Sequence, residues 1–215
     1  MGRSKILQYA EKFCAENDIK LVTSDKTYIV HGKDKDEFAG FFFQKGNEKI
    51  LGIALKAKYY RETILHEMNH ALQCLEGADV WHNVYLTKAE LKRFKKYGYE
   101  KDDDTTDVLN GWANNRFELD EKTLKNFSKR SLLVELDCEK RTVETCKKML
   151  KSFKPERYMQ YANAYIRSYR YLIKARTWAT YTNAVDFYHG NFDEIDYLSP
   201  ISAEEIKAFE RTGKK

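Results

Sequence analysis

Proline is almost absent from this chain, which has two among 215 residues. Because proline breaks helices and central strands, its scarcity favours long uninterrupted helices. Aromatic residues are plentiful by contrast, with 15 Tyr and 12 Phe, and such rings usually supply core packing. The composition therefore favours a helix-rich fold over a loop-rich one.

The chain also lacks a long apolar run. No stretch is apolar enough over about 20 residues to span a bilayer, and residues 1–6 contain neither an apolar signal core nor a myristoylation motif. We expect a cytoplasmic protein without a classical export signal and without a membrane partner.

Cysteine is scarce and shows no CxxC spacing. The four cysteines, Cys14, Cys74, Cys138 and Cys146, fall within predicted helices. In a chain of this length we expect reduced thiols rather than a disulfide framework, in agreement with a cytoplasmic location.

Charge gives little indication of a partner. The 38 basic and 33 acidic residues leave a net charge of +5 that is spread along the chain, so there is no polybasic arm. Nucleic-acid binding is not indicated, although it stays an alternative because of the basic excess and the run at 147–151. With 42% apolar and 33% charged residues, the composition is that of a globular protein.

Hydrophobic periodicity predicts an α+β fold. An amphipathic helix is expected over 3–16, followed by β-like runs at 19–23, 27–30, 39–44 and 49–55. The turn Lys45-Gly46-Asn47 predicts that the last two runs pair as a hairpin. A small, mostly antiparallel sheet follows from this pattern, and an apolar stripe at 64–75 can pack the next helix against it.

The rest of the chain is predicted to be helical. A helix is expected from 58 to about 76, with Gly77 as its C-terminal stop, and another follows the Thr87 capping box. A polar stretch from 97 to 120 is interpreted as a long connection or lid. A long acidic helix then covers about 120–153, and Pro155 starts a further helix towards 188. We predict one domain over 1–153 and a helical C-terminal extension over 154–215 on the same core.

The chemistry is concentrated in His66-Glu67-Met68-Asn69-His70. Two histidines four residues apart share one helix face and can bind one zinc ion, while the intervening Glu reaches a water on that ion. This is the HExxH motif of zinc peptidases. A catalytic zinc usually has three protein ligands, so a third must lie elsewhere.

The best candidates for a third ligand lie in the acidic helix. Glu135 and Glu139 fall on or beside its apolar stripe, and a buried acid needs a partner. We predict Glu135 as the ligand and Glu139 as an acceptor that orients a ligand histidine. The two roles could be reversed, so that Glu139 is the ligand. Asp137 or His82 could replace either of them, and the thiols of Cys74 and Cys138 are further alternatives.

The motif, the preceding strand hairpin and Glu135 on a later helix resemble the gluzincin zinc metallopeptidases, in particular minimal members such as the ImmA/IrrE peptidases. SprT-like peptidases share the first motif but normally have a His as third ligand. The segment at 135–141 also resembles uncharacterised HExxH proteins of large tailed phages, and such an origin implies the host cytoplasm. The resemblance covers about residues 38–150 and implies a zincin-like domain.

The expected activity is therefore zinc-dependent hydrolysis of a peptide or protein substrate, with Glu67 as general base. The side chains considered as donors to the developing oxyanion are Tyr158, Tyr161, Tyr165 and His189, although an aromatic stripe is more often core. The competing hypotheses are a non-catalytic zinc-bound accessory or regulatory protein with a peptidase-like fold, and a nucleic-acid-associated peptidase of SprT-like type. The oligomeric state cannot be predicted from the sequence.

Overall fold

The computed structural model describes residues 4–31 and 36–211. They form two compact units. The first unit contains the residues up to Ala78 together with 144–151, and the second contains 79–143 and the residues from 152 onward. The predicted α+β class is confirmed, with about 60% helix and two small sheets.

The first unit contains both sheets. Strands β1 (Lys20–Ser24), β4 (Gly40–Lys45) and β5 (Glu48–Ala54) form a sheet in the order β1-β5-β4, and β2 (Ile29–His31) pairs with β3 (Asp36–Phe38). The predicted hairpin is confirmed, since β4 runs antiparallel to β5 with Phe42 opposite Leu51. However, β1 runs parallel to β5, so the three-stranded sheet is mixed.

Two complete helices belong to this unit over its described residues, together with the C-terminal end of a third. Helix α1 (Lys5–Glu16) begins at Ser4, whose hydroxyl accepts a hydrogen bond from the Leu7 N–H, and its apolar face is buried. Helix α2 (Tyr60–Glu76) contains the HExxH motif and contacts α1, β4 and β5. It ends as predicted at Gly77, whose φ of 65° is left-handed and suits glycine. The motif helix therefore lies on the sheet.

The second unit is helical over its described residues. Its helices are α3 (Asp79–Val84), α4 (Lys88–Phe94), α5 (Thr105–Ala113), most of α6 (Glu121–Met149), α7 (Pro155–Ala175) and α8 (Ala203–Glu210). The predicted capping box at Thr87 and the start at Pro155 are confirmed. The predicted extension of the second long helix to 188 is wrong, because Arg176 adopts a left-handed conformation and ends α7.

The prediction of a long connection over 97–120 is also wrong in part. Helix α5 occupies its centre and is started by a capping box, in which Asp104 accepts from the Thr106 and Asp107 N–H groups. Val108, Leu109 and Trp112 are buried in a core cluster. The polar residues at 101–107 therefore lead into and begin a helix. The apolar side chains that follow them in this helix are buried.

No helix among the described residues is both long enough and apolar enough to cross a membrane.

Candidate metal centre

His66 and His70 lie on one face of α2, and the motif spacing brings their imidazoles together. Their Nε2 atoms are 3.1 Å apart, and the rings meet edge to face with centroids 4.7 Å apart. Two nitrogens bound to one tetrahedral zinc at about 2.0–2.1 Å are roughly 3.3 Å from each other. The pair is thus spaced for a shared ion.

The protonation of His70 also suits a metal ligand. Its Nδ1 lies 2.8 Å from Oε1 of Gln73. An amide oxygen only accepts hydrogen bonds, so Nδ1 must carry the proton and Nε2 keeps its lone pair. That lone pair faces the Nε2 of His66, which is where a metal ion would bind.

A third donor completes the group. The ligand atoms of His66, His70 and Cys138 all lie within 4.8 Å of one another, so these side chains could hold a metal ion. His70 and Cys138 are buried, and His66 is partly buried. Two imidazoles and a thiol are a donor set that zinc accepts readily, whereas magnesium and calcium prefer oxygen. These residues therefore fit zinc.

The predicted ligand Glu135 and most of the predicted alternatives are not part of this group. Among the described residues, the metal-ligating group does not include Glu135, Asp137, Glu139, His82 or Cys74. The Cys74 thiol instead donates to Oε1 of Gln44 at 2.8 Å, and burial raises its pKa. The Cys74 side chain is thus engaged by Gln44.

Glu67, the predicted general base, is buried on α2 with 7% of its surface exposed. The helix lies close to the edge strand at this point, because position 40 in β4 is a glycine. A Cβ built on Gly40 would lie 2.6 Å from Cγ2 of Thr63 and 3.0 Å from Cγ of Glu67. Gly40 therefore allows α2 to approach β4 closely. This approach determines where the Glu67 side chain lies against the sheet.

Glu135 is partly buried on α6 in a polar region of the second unit. Burial first, and then the negative charge of Glu135, raises the pKa of Tyr165 and of Tyr169. Both phenols therefore stay protonated near neutral pH. Burial and the charge of Asp107, with a smaller contribution from Glu135, raise the pKa of Asp104 to about 7. Glu135 thus shares its surroundings with another acid and two tyrosines.

Glu139 is buried, with 5% of its surface exposed, and Oε2 accepts a 2.6 Å hydrogen bond from the Tyr158 hydroxyl. The structure thus pairs two predicted site residues, one a proposed acceptor and the other a proposed donor. Asp137 forms an ion pair with Arg141 one turn further along α6, at 2.8 Å. At His70, an orienting hydrogen bond is made by Gln73.

The two remaining candidate donors have contacts within the second unit. The Tyr161 ring lies under the guanidinium of Arg157, 4.8 Å from its centroid. His189 is exposed, and its Nδ1 lies 2.8 Å from Nε2 of Gln160. Neither observation connects these side chains with the metal-ligating group.

Sequence reasoning missed Gln73 altogether. The signal was available, because a position three residues after His70 lies on the same face of the helix. Cys138 was considered only as a minor alternative, since a buried cysteine usually needs no metal.

The chain matches no protein-family model, no curated protein and no solved structure.

Proposed function

We propose that this chain is a zinc-dependent metallopeptidase. The observation that carries the proposal is the 3.1 Å approach of the His66 and His70 Nε2 atoms on a helix where Glu67 lies between them. A purely structural site has no need of a carboxylate at this position of the motif, whereas hydrolysis needs a general base.

His66 and His70 would hold the zinc together with a third donor from α6. Cys138 is the donor that lies with the two imidazoles. Glu135, the ligand predicted from the sequence, precedes Cys138 by one helical turn and is the alternative third ligand. Mutagenesis of each residue distinguishes the two. Three protein donors would leave room for a bound water, as in catalytic zinc sites.

A zinc ion bound in this site would supply a Lewis acid that polarises the peptide carbonyl and acidifies water. Glu67 accepts a proton from the attacking water and returns it to the leaving amine. A peptide or protein is the proposed substrate.

Metal analysis combined with Glu67→Gln tests the proposal. We expect about one zinc per chain in both the wild type and the variant, and hydrolysis of a denatured protein only by the wild type. Glu62→Gln, on the first turn of the same helix, is the matched control and should keep both properties. A chain that takes up no zinc, or a Glu67→Gln variant that hydrolyses at the wild-type rate, overturns the proposal.

The non-catalytic alternative has one supporting observation. Cysteine is common among the ligands of structural zinc sites, and Cys138 lies in the group. That alternative requires stoichiometric zinc in a wild-type protein without any Glu67-dependent hydrolysis, so the same experiment decides between the two functions.

A further inference from the structure

Gln73 is fully buried on α2, with none of its surface exposed. Transferring an amide from water to a protein interior costs free energy unless hydrogen bonds compensate. A leucine would fill a similar volume without this cost. We therefore expect the buried amide of Gln73 to have a specific role, and its contact with His70 indicates which one.

The contact has the geometry of a hydrogen bond that fixes a tautomer. The Gln73 Oε1 atom accepts from the His70 Nδ1–H at 2.8 Å. In solution, a neutral imidazole exchanges its proton between Nδ1 and Nε2. A buried acceptor at Nδ1 holds the proton there and also fixes the rotation of the ring. The Nε2 of His70 is thus turned towards His66 with its lone pair available.

We infer that Gln73 is a positioning residue of the metal centre, which holds His70 in its Nδ1–H tautomer and directs its Nε2 to the ion. The part of this inference that concerns metal binding rests on the proposed function. Groups of this kind commonly change metal affinity about 10- to 100-fold when they are removed.

The amide is neutral, and this distinguishes it from the carboxylate often found in the same role. A carboxylate accepting the Nδ1–H would draw the proton away from the ring and make Nε2 a stronger electron donor. The neutral amide orients His70 without that additional donation. A zinc ion held here would therefore keep more of its positive charge for polarising a substrate, at some cost in affinity.

The test compares Gln73→Met with Gln73→Glu by two measurements. Nitrogen-15 NMR of histidine in the metal-free protein reports the His70 tautomer, and competition with a chromophoric chelator reports zinc affinity. Methionine has the length of glutamine but no acceptor oxygen at this position. We expect Gln73→Met to populate the Nε2–H tautomer and to bind zinc about 10- to 100-fold more weakly.

Gln73→Glu keeps an acceptor, so we expect it to retain the Nδ1–H tautomer and to bind zinc at least as tightly as the wild type. Gln44→Met is the matched control, since it removes another amide acceptor in the same unit, the one that receives the Cys74 thiol. It should change neither measurement. If Gln73→Met does not fold, the tautomer and affinity of Gln73→Glu still decide the question.

An unchanged tautomer and affinity in Gln73→Met, or loss of the Nδ1–H tautomer in Gln73→Glu, overturns the inference. The NMR measurement needs no metal and no substrate. A failure of the proposed function, in which the wild type binds no zinc, is therefore distinguishable from a failure of Gln73 to control the tautomer.

Discussion

The Nε2 atoms of His66 and His70 are 3.1 Å apart, with the Nδ1–H of His70 held by Gln73. This relationship determines how the pair responds to protons and to metal. Two imidazolium ions at this separation would repel each other, and a metal ion binds only deprotonated imidazole. Metal binding should therefore stabilise the fold, and acid should oppose it.

Removing metal is expected to destabilise the protein. A ligand that binds only the folded state at 100 times its Kd contributes about 2.7 kcal/mol, so a chelator should lower the Tm and added zinc should restore it. Thermal unfolding at several zinc concentrations measures this effect. His66→Ala should abolish the response to zinc, whereas His82→Ala, which changes an exposed histidine outside the group, should keep it. A Tm that does not depend on zinc would contradict the prediction.

The third ligand can be identified by cobalt substitution. If the Cys138 thiolate binds the ion, the cobalt protein should show a near-ultraviolet sulfur-to-cobalt charge-transfer band, and Cys138→Ser should remove it with a loss of zinc affinity. Glu135→Gln should leave the band in place. The control is Cys146→Ser, which changes another buried thiol of α6. Absence of the band in the wild type, with a larger loss of zinc affinity in Glu135→Gln, would instead assign the ligand to Glu135.

Gly40 is expected to tolerate no side chain. The Cβ of Gly40→Ala would lie 2.6 Å from Cγ2 of Thr63, so we expect the free energy of unfolding to fall by about 1–3 kcal/mol. Thr63→Ser removes that methyl group but keeps the hydroxyl, which donates to the Tyr59 carbonyl. The double variant should recover part of the loss in a denaturant titration. Equal stability of Gly40→Ala and the wild type would show that α2 can move away from β4 without cost.

Asp104 should make stability depend on pH. Its pKa is raised from 3.8 to about 7 in the folded protein, so the folded state binds this proton more tightly than the unfolded state. The resulting stabilisation is complete below about pH 4 and is lost as the pH rises through 7. Asp104→Asn should therefore be more stable than the wild type at pH 8, and its advantage should shrink towards pH 4.

Partial exposure of Asp104 allows solvent to screen its charge, so we expect a difference of about 1–2 kcal/mol at pH 8. Denaturant titrations at pH 4, 6 and 8 measure it. Asn and Ser are both good helix N-caps, so Asp104→Ser should show the same pH trend. An advantage that grows as the pH falls would have the wrong sign for this explanation.

Local patterns in the sequence predicted the elements with strong signals. The β4-β5 hairpin follows from a glycine turn between two apolar runs, and the end of α2 follows from Gly77. Helix α5 was missed because its first turn is acidic and was interpreted as a loop, although Asp104 and Asp107 form a capping box. Capping and burial of three apolar side chains outweighed the polar composition of the segment.

The sequence by itself determined that His66 and His70 lie together, because residues i and i+4 on any α-helix share a face. Only the tertiary structure could group Cys138 with the two histidines as a possible third donor. Glu135, Cys138 and Glu139 lie within two turns of one helix. The sequence does not show which of them is nearest to His66 and His70, which are more than sixty positions away. Burial and side-chain rotamers set those distances, and they place the Cys138 sulfur in the group.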